Sequence, residues 1–164
     1  KELMPQAQAK YRVETERRGT LIAGLSAGGG GLINIVFKNP QMFAAAAALS
    51  PSVYVPVPPS TSSGVRHAQF HKDGKFDAAT WQSLNYPMWI DGYKKSGTVV
   101  PIYLNSGDHD RFGIVGHAAV LYQQLLAHQP QHVEYRVVDG DHEWAVWRDT
   151  LGDALVFMDR YLGK

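Results

Sequence analysis

Cysteine is absent from the 164 residues of this chain. Its absence excludes disulfide bonds, thiolate catalysis and zinc sites with cysteine ligands, and it leaves the cellular compartment open. An excess of one charge is missing too, because 16 lysine and arginine residues face 15 aspartate and glutamate residues. The basic residues are scattered along the chain rather than grouped. We therefore expect no nucleic-acid partner.

The sequence also lacks an apolar run long enough to cross a membrane, and we expect no membrane partner. Hydrophobic residues make up 45% of the chain and charged residues 19%, an ordinary globular composition. At this length the composition predicts one core and a single domain over residues 1–164. A proline-, serine- and glycine-rich stretch at about residues 51–80 is too long for a simple connection, and it predicts a loop or lid insert.

The most informative motif is Gly-x-Ser-x-Gly at residues 24–28. An apolar run precedes it at 21–25 and a mostly apolar helical segment follows at 32–37, which is the strand, turn and helix order of a nucleophile elbow. Such a turn projects the hydroxyl of Ser26 to a place where a base reaches it. A phosphate-binding loop is the alternative, but no Lys-Ser/Thr pair follows the glycines and the Gly-x-Gly-x-x-Gly spacing is missing.

Glycines surround this serine on both sides. We expect Gly24 and Gly28 to be glycine because neighbouring chain passes too close for a Cβ atom. Residues 28–31 are four consecutive glycines at the start of the helix, where each costs up to about 1 kcal/mol relative to alanine. We attribute this run to close packing of the helix against the strands beneath it.

Short apolar segments alternate with helical patterns along the rest of the chain. Strands are predicted within 21–25, 42–51, 99–104 and 133–138, and helices at 2–11, 32–37, 81–95 with an interruption near Pro87, 115–127 and 144–162. Strands separated by helices indicate βαβ units and a parallel sheet, in which functional groups lie at the carboxyl ends of the strands. The predicted fold class is therefore α/β with a mostly parallel sheet.

A serine nucleophile needs a base within hydrogen-bond reach, and the base needs an acid that holds its tautomer. His142 is the predicted base because it follows the last strand directly, on a turn marked by Gly140, and precedes the closing helix. His109, after the third strand, is the alternative base. The acid is expected in that same turn, where spacing does not choose between Asp108 and Asp110.

An oxyanion hole should accompany these groups. The backbone N–H of Ala27, the residue after the nucleophile, is its expected first half. The second half should come from a loop after an earlier strand, which this sequence lacks.

These residues resemble the esterase-D-like branch of the α/β-hydrolases, which includes feruloyl and acetylxylan esterases, S-formylglutathione hydrolases and enterochelin esterases. The matching segments, in family order, are Ala23-Gly24-Leu25-Ser26-Ala27-Gly28-Gly29, Asn39-Pro40-Gln41-Met42-Phe43 with Leu49-Ser50, Ser106-Gly107-Asp108-His109-Asp110, and Gly140-Asp141-His142-Glu143-Trp144 with Trp147. The resemblance covers nearly the whole chain.

The resemblance implies a three-layer α/β-hydrolase fold and a serine carboxylic-ester hydrolase that works through an acyl-enzyme, with no cofactor. By position it makes Ser26 the nucleophile, Asp110 the acid and His142 the base. A small-molecule or carbohydrate-linked ester is the implied substrate. Ala27 departs from the family, whose members usually have methionine after the serine.

Family members carry a further long stretch before the first helix of this chain, and that stretch supplies early strands and the second oxyanion donor. Without those strands, residues 21–25 would form a bare apolar sheet edge, which invites pairing. We therefore expect an N-terminally incomplete catalytic domain. Its missing strands would come from the parent polypeptide or from another chain.

Trp89 and Trp144 are candidates for substrate binding, although aromatic residues are as often part of a core. A metal-dependent hydrolase is one rival function, because His67 and His71 stand four residues apart with Asp73 nearby. That pair lies in a proline- and glycine-rich loop without a suitably placed glutamate, which disfavours metal binding. The other rival is a non-catalytic binding module, since a hydrolase fold does not guarantee activity.

Overall fold

A four-stranded parallel sheet organises the chain, whose computed structural model describes residues 2–163. The strands are β1 Leu21–Leu25, β2 Ala45–Leu49, β3 His71–Lys72, β4 Lys75–Phe76, β5 Ile102–Gly107 and β6 Val133–Val138. The sheet has the order β1-β2-β5-β6 with every pair parallel, and β3 and β4 form a separate antiparallel hairpin. Leu25, Leu49 and Asn105 are neighbours in the register, so the carboxyl ends of β1, β2 and β5 are nearly level.

Helices cover both faces of the sheet. They are α1 Leu3–Lys10, α2 Ser26–Lys38, α3 Ala78–Ser83, α4 Ile90–Lys95, α5 Ile114–Leu126 and α6 Trp144–Asp159. Buried side chains of α2, α4 and α5 form the core on one face, and those of α6 form the core on the other. The predicted three-layer α/β fold is confirmed. Among residues 2–163, no helix combines the length and hydrophobicity that a membrane span requires.

The alanine-rich strand β2 lies in the middle of these layers and is buried along its whole length. Ala46 and Ala48 face the core under α2, and Ala45 and Ala47 face the core under α6. Small side chains on both faces leave room for two helix layers to pack closely on one strand. Burial on both faces explains why a run of helix-forming residues is a strand here.

Two of the glycines around Ser26 are explained by close packing. A Cβ atom on Gly24 would lie 2.8 Å from the backbone of Gly28, and one on Gly30 would lie 2.7 Å from the carbonyl oxygen of Ser52. The expectation for Gly28 itself was wrong, because a Cβ there would meet nothing within 4 Å. The backbone of Gly28 instead lies so close to Gly24 that Gly24 has no room for a side chain.

The segment at 51–80 has more local structure than a long loop. It contains short 3₁₀ turns, the β3–β4 hairpin and the first residues of α3, which begins at Ala78. The hairpin was not predicted, because two-residue strands are too short to produce a pattern. The helical segment at 81–95 is interrupted by a 3₁₀ turn at Tyr86–Met88, as expected from Pro87. β5 begins three residues later than predicted, immediately after Pro101.

Candidate active site

Ser26 stands at the junction of β1 and α2, at the carboxyl end of the sheet. Its φ angle of 52° lies in the left-handed region, which is uncommon for a residue other than glycine. The carbonyl of Ser26 accepts the N–H of Ser52 at 2.9 Å, so the turn is tied to the segment after β2. A strained residue persists only where its surroundings hold it, and such residues cluster at functional sites.

The side chain of His142 lies between those of Ser26 and Asp110. Its Nε2 is 2.8 Å from the Oγ of Ser26, and its Nδ1 is 2.8 Å from the Oδ2 of Asp110. The imidazole is 8% exposed and the carboxyl group is fully buried. Because a carboxylate only accepts hydrogen bonds, Nδ1 carries the proton, and Nε2 then accepts from the serine hydroxyl. The three side chains predicted from the sequence form one hydrogen-bonded chain, hereafter the relay.

The two aspartates in the turn after β5 have different surroundings. The second oxygen of Asp110 accepts the N–H of Phe112 at 3.0 Å. Asp108 is exposed, accepts the N–H of Gly140 at 3.0 Å and lies 2.6 Å from the Nδ1 of His109. The hydrogen bonds from Gly140 and then His109 hold the pKa of Asp108 below its usual value. The structure thus places Asp110 in the relay and leaves Asp108 and His109 outside it.

Two aromatic rings contact the imidazole of His142. Phe112 contacts it edge-on, with ring centroids 4.9 Å apart and planes at 85°. Trp147, from the first turn of α6, makes a second edge-on contact at 5.0 Å and 87°. Rotation of the imidazole would break both ring contacts as well as both hydrogen bonds, so the rings favour the orientation that the relay needs.

A second connection joins the two turns that carry Asp110 and His142. Arg111 donates its backbone N–H to the Oδ1 of Asp141 at 2.7 Å, and its Nε lies 3.1 Å from Oδ2. Asp141 also accepts the N–H of His142 at 2.6 Å, and Arg111 donates to the carbonyl of His142 at 3.3 Å. The hydrogen bonds from the backbone N–H groups of His142 and then Arg111 lower the pKa of Asp141. Arg111 and Asp141 together are called the brace below.

A cavity of about 340 Å³ lies beside Ala27. Ala27 is the second residue of α2, and N–H groups in the first turn of a helix have no acceptor inside that helix. The far wall of the cavity includes Tyr54, Phe70 and Trp81. The insert at 51–80 therefore forms part of a cavity that reaches Ala27, the residue after the serine.

The two tryptophans singled out from the sequence occupy different places. Trp89 lies under Lys38, whose Nζ is 3.9 Å from its ring centroid. Lys38 is the last residue of α2 and Ser26 the first, about 18 Å apart along the helix axis, so Trp89 lies away from the relay. Trp144 is 73% exposed, and its ring centroid lies 5.2 Å from that of Trp147. Trp147 in turn contacts His142 of the relay.

The histidine pair that supported the metal alternative does not form a cluster of ligands. The Nε2 of His71 lies 2.8 Å from the carbonyl oxygen of Val65. Within residues 2–163, the group of three side chains whose ligand atoms lie within 4.8 Å of one another consists of Asp108, His109 and Asp139. All three are exposed, and none belongs to the relay.

Sequence reasoning did not identify the brace, the ring of Phe112 or the wall at Tyr54 as parts of the site. A signal for the brace exists, because Arg111 follows the predicted acid and Asp141 precedes the predicted base. Tyr54 gives no such signal, because nothing in its local sequence indicates that it lines a cavity together with residues of α2.

A parallel α/β sheet with a serine after one strand, and an acid and a base after later strands, defines the α/β-hydrolase class. Residues 1–158 match the model of the Esterase family, whose description is "Putative esterase". The chain belongs to this esterase family, and the predicted resemblance is confirmed.

Solved structures with this fold include a ferulic acid esterase, with 26% identity and a TM-score of 0.72 over 99% of this chain. An S-formylglutathione hydrolase from Staphylococcus aureus has 18% identity and a TM-score of 0.71 over 96%. One from Agrobacterium tumefaciens has 24% identity and a TM-score of 0.71 over 99%. The present chain spans 59%, 57% and 56% of these three chains respectively.

Proposed function

We propose that this chain carries the catalytic centre of a serine carboxylic-ester hydrolase that works through an acyl-enzyme. Ser26 Oγ attacks the ester carbonyl while His142 Nε2 takes the hydroxyl proton and passes it to the leaving alcohol. Water then attacks the acyl-enzyme with His142 again as base, which releases the acid and restores Ser26. Asp110 orients the imidazole and stabilises its protonated form.

The observation that carries this proposal is the relay itself. Both of its hydrogen bonds are 2.8 Å long, and the acid and the base are almost completely shielded from water. A buried carboxylate held against a histidine, which in turn contacts a serine in a strained turn, is the arrangement that activates a hydroxyl nucleophile. A binding module would gain nothing from it.

The negative charge that develops on the carbonyl oxygen needs donors as well. The N–H of Ala27 is one, because it follows the nucleophile in the first turn of α2. We propose that a second donor comes with further strands, from the parent polypeptide or from another chain, that pair with β1. Support for such a partner comes from β1, which is an edge of the sheet in the described residues.

Covalent labelling with a fluorophosphonate, followed by peptide mapping, tests the nucleophile directly. We expect the label on Ser26 and none in Ser26→Ala, whereas Ser83→Ala, which removes an exposed serine elsewhere, should label like the wild type. Activity on 4-nitrophenyl acetate should be unchanged by EDTA, whereas EDTA would abolish the activity of a metal-dependent hydrolase. Natively folded protein that takes no label would contradict the proposal and favour a binding module.

Two matched asparagine variants test the acid. Asp110→Asn presents an N–H₂ group to His142 Nδ1 and favours the wrong tautomer, so kcat should fall by about 10⁴-fold, as in a serine protease with the same change. Asp108→Asn alters an exposed carboxyl group outside the relay, and its kcat should stay near the wild-type value. Equal losses in the two variants would show that Asp110 has no special role.

A further inference from the structure

The cavity beside Ala27 has one wall made by a single face of α2. Ala27, Gly30, Gly31 and Asn34 all line it, and their spacing of three, four and seven residues from Ala27 places them on one side of the helix. The opposite wall comes from the insert at 51–80, which follows β2, and from residues within 81–85. The cavity reaches Ala27, the residue that follows Ser26 in the chain and whose N–H is the proposed oxyanion donor, so we expect one group of an ester bound at Ser26 to extend into it.

Among residues 2–163, the lining of this cavity contains no aspartate, glutamate, lysine or arginine. Tyr54, Phe70, Trp81 and Leu84 supply apolar surface, and the remaining side chains are uncharged polar groups and His67. A charged group that entered would lose hydration without an aspartate, glutamate, lysine or arginine to pair with, which is costly. The chemistry of the lining therefore favours an uncharged substituent.

Gly30 and Gly31 are neighbours on this wall, but packing explains only one of them. A Cβ on Gly30 would lie 2.7 Å from the carbonyl oxygen of Ser52, so that position has no room for a side chain. A Cβ on Gly31 would meet nothing within 4 Å, and the residue is helical with no requirement for a positive φ. Glycine weakens a helix relative to alanine. At Gly31 the absence of a side chain leaves this part of the cavity open.

We infer that Gly31 sets the size of a subsite that takes an uncharged, medium-sized group of the ester substrate. This inference rests on the proposed esterase function and deepens it. A side chain at position 31 would project into the cavity and compete with that group, whereas a short substituent such as acetyl would still reach Ser26.

The test compares Gly31→Leu with Gly152→Leu, a matched control in the middle of α6 where a Cβ also meets nothing within 4 Å. The substrates are 4-nitrophenyl acetate, 4-nitrophenyl hexanoate and the 4-nitrophenyl monoester of adipic acid, which is similar in length to the hexanoate but ends in a carboxylate. A second series keeps acetate constant and varies the alcohol from ethyl to benzyl. The first series probes the acyl group and the second the alcohol.

For the wild type we expect kcat/KM to be at least tenfold higher for the uncharged ester than for the anionic one of similar length. Gly31→Leu should lower kcat/KM for the longer member of one series by about 10- to 100-fold, within the range that even a single methylene group can change in a hydrophobic pocket. The shortest member should change less than about threefold. Gly152→Leu should behave like the wild type in both series.

Two results would overturn the inference: an unchanged ratio of long to short esters in Gly31→Leu, or equal turnover of the uncharged and anionic esters. Failure of the proposed function is separated by measuring binding without catalysis. In Ser26→Ala, quenching of tryptophan fluorescence reports binding of 4-nitrophenyl hexanoate, and adding Gly31→Leu should weaken that binding at least tenfold. Unweakened binding there overturns the subsite even if the protein has no esterase activity.

Discussion

The side chain of His142 is contacted by groups from several separate parts of the chain. Its hydrogen-bond partners come from the turns after β1 and β5, and its ring contacts come from Phe112 and Trp147. Together these contacts favour the orientation of the ring that the relay needs. At the scale of single residues, the site is therefore organised before a substrate arrives, which is what electrostatic catalysis requires.

Tyr86 and Tyr93 give a matched pair for the energetics of buried hydroxyl groups. Within the described residues, the hydroxyl of Tyr86 is buried and has no hydrogen-bond partner. The hydroxyl of Tyr93 donates to Gln129 at 2.6 Å and accepts the N–H of Val100 at 2.9 Å. We expect Tyr86→Phe to raise the free energy of unfolding by about 1 kcal/mol and Tyr93→Phe to lower it by about 1–3 kcal/mol, as measured by urea denaturation.

The buried hydroxyl of Tyr86 also makes the stability of the fold depend on pH. Burial raises the pKa of Tyr86 to about 12, whereas the pKa of a tyrosine in an unfolded chain is near 10.0. Between those values the unfolded state loses its proton first, so stability falls as the pH rises from about 10 towards 12. In Tyr86→Phe the unfolding free energy should fall less steeply over that window. An unchanged slope, or destabilisation by Tyr86→Phe, would contradict this account.

At the scale of structural elements, the turns after β5 and β6 act as one unit. A Cβ on Gly107 would collide with the carbonyl oxygen of Gly140, so the two turns are in backbone contact. The N–H of His109 donates to that carbonyl at 3.0 Å, and the brace adds side-chain contacts. The separation between the acid and the base thus depends on contacts between loops more than on the strands alone.

The brace can be tested apart from the relay. We expect Asp141→Ala to lower kcat by about tenfold, the cost of removing a hydrogen bond or two that position a reacting group, with little change in KM. Asp141→Asn keeps an oxygen that can accept the two backbone N–H groups, and it should recover part of the loss. The rate of fluorophosphonate labelling should follow the same order, since it reports nucleophile activation without turnover.

Stability against pH gives a second measure of the brace. The pKa of Asp141 is lowered in the folded state, so its contribution to stability is present above the unfolded-state pKa of 3.8 and is lost as the pH falls through the folded-state pKa. Asp141→Asn should therefore unfold with a shallower acid dependence below about pH 4. If both Asp141 variants have wild-type kcat and wild-type acid stability, the pair does not position the base.

For the whole molecule, the two edges of the sheet differ in character. The edge strand β6 carries Glu134 and Arg136, which pair with each other at 2.8 Å, and Arg160 also pairs with Glu134. The other edge strand, β1, has no charged residue. Charged side chains on an edge discourage pairing with other strands, and their absence permits it.

Apolar surface continues from β1 onto α6. Leu21, Leu155, Val156 and Asp159 line a cavity of about 380 Å³ on that side, and the side chains of Leu155 and Val156 are 51% and 62% exposed. A strand paired with β1 and packed on α6 would cover this surface. The surface supports the proposal of a further strand at the β1 edge.

One substitution on each edge tests this difference. Ala23→Lys places a charge at an exposed position in β1, and Val137→Lys does the same at a half-exposed position in β6. In sedimentation velocity the 164-residue chain should self-associate with increasing concentration, Ala23→Lys should reduce that association, and Val137→Lys should leave it unchanged. A wild-type chain that stays monomeric at all concentrations would contradict self-association through β1.

Much of the site was predictable because its signals are local. The turn at Ser26 is marked by its flanking glycines, and the strand before it and the helix after it have their own periodicity. His142 stands directly after a strand, and chain order places such residues at the carboxyl edge of a parallel sheet. These inferences need only short-range sequence and the geometry common to all parallel sheets.

Long-range contacts settled the remaining points. Asp108 and Asp110 have nearly equivalent sequence positions, and only the path of the turn buries one against His142 and leaves the other in water. Trp89 follows an aromatic-rich pattern like that of a binding wall, yet it packs beside Lys38 at the far end of α2. The reason is physical: periodicity reports which face of an element is buried, whereas the partner across that face depends on how separate elements pack in three dimensions.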